Sequence, residues 1–171
     1  MAESEKESLK FVITLSGTYW RDSPKFTISI DDQILVTDSI RFPSSKLGLP
    51  DATQSELDHI NSLQVIEFDH AVDAGDHSIN IRMLEKLPAD TLLNEDGSIF
   101  RDRLLNIEKI TIDGVDIDQL IYKESTYRFD QPHLHHGTTQ HETTNCVCLG
   151  YTGTWSLPFT SPFYLWLLER L

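Results

Sequence analysis

Along most of the chain apolar residues recur at every second position, the spacing of a strand that buries one face. In KFVITLSGTYW, Phe11, Ile13 and Leu15 fall on one side and Val12, Thr14 and Ser16 on the other. KFTISIDDQILVTDSI repeats the pattern: Phe26, Ile28 and Ile30 share a face, Asp31-Asp32 offers turn chemistry, and Ile34 to Val36 begin a returning strand. A hairpin is predicted there. LQVIEFDHAVDAGDHSINIRMLEK resumes the strand pattern across a DAGD connection, with His77, Ile79, Ile81 and Met83 on a common face. In LLNIEKITIDGVDI the parity changes, Leu105 and Ile107 against Ile110 and Ile112, which predicts a bulge near Glu108-Lys109. The Asp-Gly pair of IDGVDI then predicts a tight turn. GTWSLPF adds a strand through Trp155, Leu157 and Phe159.

Only the last segment changes period. In TSPFYLWLLERL, Ser161 suits a helix N-cap and Pro162 the first helical position, while Phe163, Trp166 and Leu167 stand at i, i+3 and i+4. A short helix is predicted, apolar enough to need a partner surface, with those three residues as its candidate interface. Two stretches lack periodicity: RFPSSKLGLPDATQSELDHINS (41–62) is predicted as a long surface loop, and the His- and Thr-rich residues 131–150 as another. Many short strands, long polar loops and one terminal helix predict an all-β fold, an antiparallel, jelly-roll-like β-sandwich with a short C-terminal helix. At 171 residues the chain suits one domain, with a charged tail at 1–8, the loop at 131–150 and the helix at 161–171.

Charge narrows the partners. A net charge of −13 with only 14 Lys plus Arg argues against nucleic acid, whose affinity rests on cationic side chains displacing counterions. No apolar run approaches the roughly 18 residues that span a bilayer, so no membrane insertion is expected. MAESEKESLK lacks the apolar core of a secretory signal, which implies synthesis without Sec-type export, in the cytoplasm of the producing cell. Cys146 and Cys148 are separated by one residue, a spacing that strains a mutual bridge, and are read as reduced thiols.

Three clusters carry candidate chemistry. Asn94, Glu95, Asp96 and Asp102 offer hard oxygen donors of the kind calcium takes, while Asp96-Gly97 fits a plain turn equally well. His133, His135, His136 and His141 are candidate ligands for a transition metal, although their spacing matches no helical His-Glu-x-x-His or catalytic zinc arrangement, and a polar surface loop or subunit contact explains them too. Tyr19, Trp20, Tyr122, Tyr127 and Tyr151 lie beside turns, where rings can stack on sugars; Trp155 and Trp166 sit on apolar faces and are assigned to the core. No Gly-x-Ser-x-Gly, phosphate-binding glycine loop or dinucleotide fingerprint occurs, and no catalytic residue is assigned.

AGDHSINI together with DRLLNIEKITIDG resembles the calcium-dependent jelly-roll carbohydrate-binding modules of the xylan-binding type. Gly75 and His77 match the family's Gly-x-His strand start, and Asp102, Arg103, Leu105 and Ile107 match its Asp-Arg-Asn-Leu-Tyr-Val-Asp strand. Leu104 stands where that pattern has Asn, Asn106 where it has the aromatic, and Glu108 where it has Asp. A second resemblance, over roughly residues 60–171, is to uncharacterised proteins of tailed phages of marine bacteria, through IDGVDI and GTWSLPFTSPFYLWLLERL. Together these imply a non-catalytic structural or accessory component of a phage particle, in contact with other virion subunits or further copies of itself. The alternatives are a stand-alone calcium-dependent module that binds a glycan, and, third, a metal-assisted hydrolase using the His133–His141 loop.

Overall fold

The computed structural model describes residues 5–42, 63–135 and 137–171. The loop expected at 41–62 lies outside the described residues beyond Arg41 and Phe42. The strands are β1 (Glu7–Gly17), β2 (Lys25–Ile30), β3 (Gln33–Ser39), β4 (Gln64–Val72), β5 (Gly75–Leu84), β6 (Thr91–Leu93), β7 (Ile99–Asp102), β8 (Leu105–Ile112), β9 (Val115–Asp116), β10 (Thr126–His135), β11 (Thr138–Thr144), β12 (Cys148–Leu149) and β13 (Gly153–Ser161). One sheet runs β12-β8-β1-β4 with β9 against β8; the other runs β11-β10-β13-β5-β2-β3; β6 and β7 form a separate hairpin. Every strand pairing among the described residues is antiparallel. The protein is an all-β, jelly-roll-like sandwich.

The alternation read in the sequence is what builds this core. Leu9, Phe11, Ile13 and Leu15 of β1 are buried, as are Phe26 and Ile28 of β2, Ile79 and Ile81 of β5, and Trp155 and Leu157 of β13. The Trp155 indole donates to the Cys146 carbonyl at 3.0 Å, so its one polar atom is satisfied inside the apolar layer. The bulge falls where the parity change placed it. Thr14 pairs with Lys109 but Leu15 pairs with Ile107, which leaves Glu108 unpaired, and the Ser16 hydroxyl donates to the Glu108 carboxylate. Asp113 (φ 49°) and Gly114 (φ 76°) both take positive φ, the tight turn demanded where β8 folds back onto β9.

Several expectations are corrected. Residues 131–150 are not a loop: β10 and β11 form a hairpin in which Thr126 faces Thr144 and Arg128 faces Glu142, the last pair bridged at 3.0 Å. β11, Thr-rich and exposed along most of both faces, carries no apolar period, yet β-branched residues suit the extended backbone. A short helix, α1 (Asp118–Lys123), follows β9 and buries Ile121. The C-terminal helix, α2, spans Phe163–Leu168, and Phe163, Trp166 and Leu167 are buried in the protein's own core rather than held out as an interface. Its exposed face is Tyr164, Leu165 and Leu168.

Nor does Ser161 cap α2, since Pro162 takes the N-cap position and cannot supply a side-chain acceptor. Glu7 of β1 does so instead. Its carboxylate accepts the Phe163 amide at 3.1 and 3.0 Å and the Ser161 hydroxyl at 2.5 Å. Glu7→Ala is therefore expected to cost about 1 kcal/mol, a fall of roughly 2–4 °C in Tm, measurable by thermal denaturation.

His77 ties the β4–β5 connection to the β2–β3 turn. Its Nδ1 lies 2.7 Å from an Asp31 carboxylate oxygen and its Nε2 2.7 Å from the Asp73 carbonyl. Both neighbours are acceptors, so both nitrogens are satisfied only in the imidazolium form. Burial pushes the His77 pKa down, but the Asp31 and Asp73 hydrogen bonds outweigh it and leave the group raised above 6.5. The resulting stabilisation is complete below pH 6.5 and is lost as pH rises through the raised folded value. Melting curves across that window are expected to show a loss on the order of 0.5 kcal/mol, absent in Asp31→Asn; a wild type flat across the same window would contradict the assignment.

Candidate functional site

The β6–β7 hairpin, the β10–β11 hairpin and the segment from Cys146 to Thr152 converge at one end of the sandwich. Between them lies a cleft of about 540 Å³, with Tyr127, Phe129, Tyr151, Ile99 and Asp102 among its walls. A second hollow of about 300 Å³ opens beside it, lined by Leu87, Pro88, Pro132 and Asp130. Thr91, Gly150 and Tyr151 border both. Tyr151 thus stands as a partition with a hollow on either side.

Its backbone is fixed from several directions. The Tyr127 hydroxyl donates to the Tyr151 carbonyl and accepts the Tyr151 amide at 2.9 Å. Next along the chain, the Thr152 carbonyl accepts the Asp130 amide at 3.0 Å, and the Thr152 hydroxyl accepts the Lys86 amide at 2.8 Å while donating to the Lys86 carbonyl at 3.1 Å. Phe129 meets both tyrosines edge to face, with centroids 4.8 Å from Tyr127 and 5.4 Å from Tyr151. Tyr127 and Phe129 reach this position because β10 lies unusually close to β13: a Cβ on Gly153 would stand 2.2 Å from the Arg128 carbonyl oxygen. The Tyr151 side chain, by contrast, is 49% exposed. A rigid mount carries a half-exposed ring.

Beneath the cleft lies a buried ion pair. The Lys86 ammonium sits against the Asp102 carboxylate, their side chains 4% and 11% exposed, and the same Asp102 oxygen accepts the Thr91 hydroxyl and the Arg103 amide, each at 2.8 Å. Burial lowers the Lys86 pKa, with the bond to Asp102 acting against it. Nearby, Arg103 donates to Asp90 at 2.5 Å and to the Glu85 carbonyl at 3.0 Å.

The candidate residues fall into several groups. Asn94, Glu95 and Asp96 form the tip of the β6–β7 hairpin, whereas Asp102 pairs with Thr91 at its base. At the tip the Asp96 carboxylate accepts the Ser98 amide at 2.9 Å and hydroxyl at 2.6 Å, bonds that lower its pKa, and Gly97 takes φ 84°. That is turn chemistry. The four do not fit a shared calcium, because the tip lies roughly 10 Å along the strand from Asp102 and the place for a cation beside Asp102 is taken by Lys86. Among the described residues no three His, Cys, Asp or Glu side chains are grouped as metal ligands. Of the histidines, His136 lies outside the described residues, His133 and His135 are described as backbone on β10, and His141 is exposed on β11. Cys146 and Cys148 are free thiols, and both line the cleft.

Of the aromatic candidates, Tyr151 alone is half exposed within the cleft. Tyr127 is buried at 2% exposure and forms its floor, and burial raises its phenol pKa well above the usual range. Tyr19 packs edge-on to Phe42, and the Trp20 ring is covered by the Arg101 guanidinium at 4.8 Å. Tyr122 is half exposed on α1 and is not among the residues lining the cleft. Phe129, Leu87 and Pro132 had no sequence signal beyond being apolar in polar surroundings. GYTG, an aromatic between glycines, was the one legible hint.

No helix among the described residues is long and apolar enough to cross a membrane. No family model matches the chain, and no curated protein matches it. A solved structure described as "vCBM60 in complex with galactobiose" is similar over 86% of this chain and 96% of its own, with 10% identity and a TM-score of 0.49.

Proposed function

We propose that the protein is a non-catalytic module that binds a glycan in the Tyr151 cleft. The observation that carries this reading is the half-exposed Tyr151 ring on a hydrogen-bonded backbone, with a hollow on each side. A sugar ring buries flat C–H surface against an aromatic face while its hydroxyls reach polar neighbours, and a ring held in place beforehand loses little entropy on binding. Thr91, Gln131 and Gln140 supply hydroxyl and amide groups on the walls. Hydrolysis of a glycoside calls for two available carboxyl groups. The carboxylates of these hollows are Asp102 and Asp130, each engaged by a cation, Lys86 and Arg82 respectively, an arrangement that favours binding over cleavage. A glycan array followed by calorimetry on the best binder tests the proposal. Tyr151→Ala is expected to weaken that binder at least about tenfold with Tm unchanged, and a chelator is expected to leave the affinity as it was. Equal affinity in wild type and Tyr151→Ala would rule out this cleft.

A second reading, an accessory component of a phage particle, is favoured by Tyr164, Leu165 and Leu168, exposed together on α2. Apolar side chains grouped on one helix face suit contact with a neighbouring subunit. Light scattering would show a concentration-dependent oligomer that Leu165→Glu dissolves; a monomer at all concentrations that joins no particle would end that reading.

A further inference from the structure

The two outer faces of the sandwich differ in what they turn to solvent. On the five-stranded sheet the outward positions include charged side chains paired with each other, Lys10 with Glu67 at 3.5 Å and Lys109 with Asp116 at 2.9 Å, beside apolar Val12 and Val65. That is how a sheet face meets water. The six-stranded sheet instead presents short hydroxyl and amide groups in cross-strand rows. Register sets Ser29, Asn80 and Ser156 side by side on β2, β5 and β13, and Thr27, Arg82 and Thr154 in the next outward row.

These groups are held in place. The Ser156 hydroxyl donates to the Asn80 amide oxygen at 2.7 Å, while the Asn80 amide nitrogen donates to the Asp31 carbonyl at 3.0 Å and the Ser78 hydroxyl at 3.1 Å. Arg82 grips both oxygens of Asp130, at 2.7 and 2.5 Å, and donates to the Thr154 hydroxyl at 3.2 Å. The face is also hollow. A groove of about 570 Å³ lies over β2 and β5 and borders, at Ser78, a second depression of about 230 Å³ that reaches Thr126 of β10.

Charge and surface character select the ligand. The arginines of the two hollows are engaged, Arg82 by Asp130 and Arg128 by Glu142, and Asp31 and Asp32 add negative charge at one end. Phosphate, sulfate or uronate would have to compete with Asp130 and Glu142 for these arginines, and a peptide would find one large apolar contact, Ile34 at the rim. Fixed donors and acceptors spread across several strands match a ligand that is itself neutral, extended and dense in hydroxyls. We infer that this groove is a second binding site, distinct from the Tyr151 cleft, and that it takes a neutral oligosaccharide lying across the strands.

The test is a titration of the isotopically labelled full chain, followed by amide NMR, with neutral hexasaccharides of β-1,4-linked xylose, glucose and mannose and with an anionic heparin hexasaccharide as control. At least one neutral hexasaccharide is expected to shift the amides of Ser29, Asn80 and Thr154 saturably, in wild type and in Tyr151→Ala alike. Thr154→Trp, which fills the groove from a solvent-facing position, is expected to weaken that titration at least about tenfold. Ser29→Tyr serves the same purpose should Thr154→Trp fail to give a folded spectrum. The inference is overturned if no neutral hexasaccharide moves these amides at millimolar concentration, if the filled variants titrate like wild type, or if the heparin fragment binds there as well as the neutral chains. Shifts confined to the Tyr151 region would support the cleft proposed above and overturn this one.

Discussion

Asp102→Ala is expected to destabilise the fold by about 3–5 kcal/mol, because it leaves the Lys86 ammonium buried without its counter-charge. Lys86 is 4% exposed at its side chain, so it cannot turn to water without opening the packing beneath the cleft. The same substitution strips an acceptor from the Thr91 hydroxyl and the Arg103 amide. At about 2–4 °C per kcal/mol for a domain of this size, Tm should fall by roughly 10 °C. Replacing both partners, Lys86→Met with Asp102→Leu, should recover a good part of the loss, since a buried pair removed together leaves no orphaned charge. The experiment also weighs the calcium expectation. If Asp102→Ala were as stable as wild type in chelator and lacked only a calcium-dependent gain, the carboxylate would be serving a metal and not Lys86.

Tyr127→Phe is expected to lower stability by about 1–3 kcal/mol, although it changes one atom in a buried ring. That oxygen bonds both the amide and the carbonyl of Tyr151, and a phenylalanine removes both of these bonds. The consequence reaches the ligand. Tyr151 would keep its side chain but lose its fixed backbone, so glycan affinity should fall several-fold in a variant whose cleft lining is otherwise intact. Calorimetry on Tyr127→Phe, set beside Tyr151→Ala, separates the mount from the ring. Unchanged affinity with lowered stability would mean that the position of Tyr151 does not depend on Tyr127.

The sheet core was legible because burial on one face writes itself into every second residue. Phe11, Ile13 and Leu15, or Ile79, Ile81 and Met83, could occupy no other pattern, and even the bulge at Glu108 announced itself as a change of parity. The β10–β11 hairpin was hidden for the converse reason: Thr138 to Thr144 bury neither face fully, so nothing alternates. Tyr127 was misplaced because proximity to a turn says little about which side of a strand a ring occupies; pairing with Trp155 sends it inward. The apolar stripe of α2 was read correctly as needing a surface, but the surface is the protein's own. Least legible of all was the Lys86–Asp102 pair. Its partners are sixteen positions apart and meet only because the β6–β7 hairpin folds between them.

The placement of β1 has a consequence for how the chain is made. This strand lies inside its sheet, paired on one side with β4 and on the other with β8, and Glu7 reaches across 156 positions to Phe163. A ribosome therefore delivers β1 well before β4 and β8, its neighbours in the sheet, and the helix that Glu7 secures follows far behind them. Folding of so non-local a topology is slow, in the millisecond-to-second range typical of β-sandwiches. Until β4 and β8 have emerged, Phe11, Ile13 and Leu15 lack their native neighbours, which makes the nascent chain a natural client for chaperones that shield extended apolar segments.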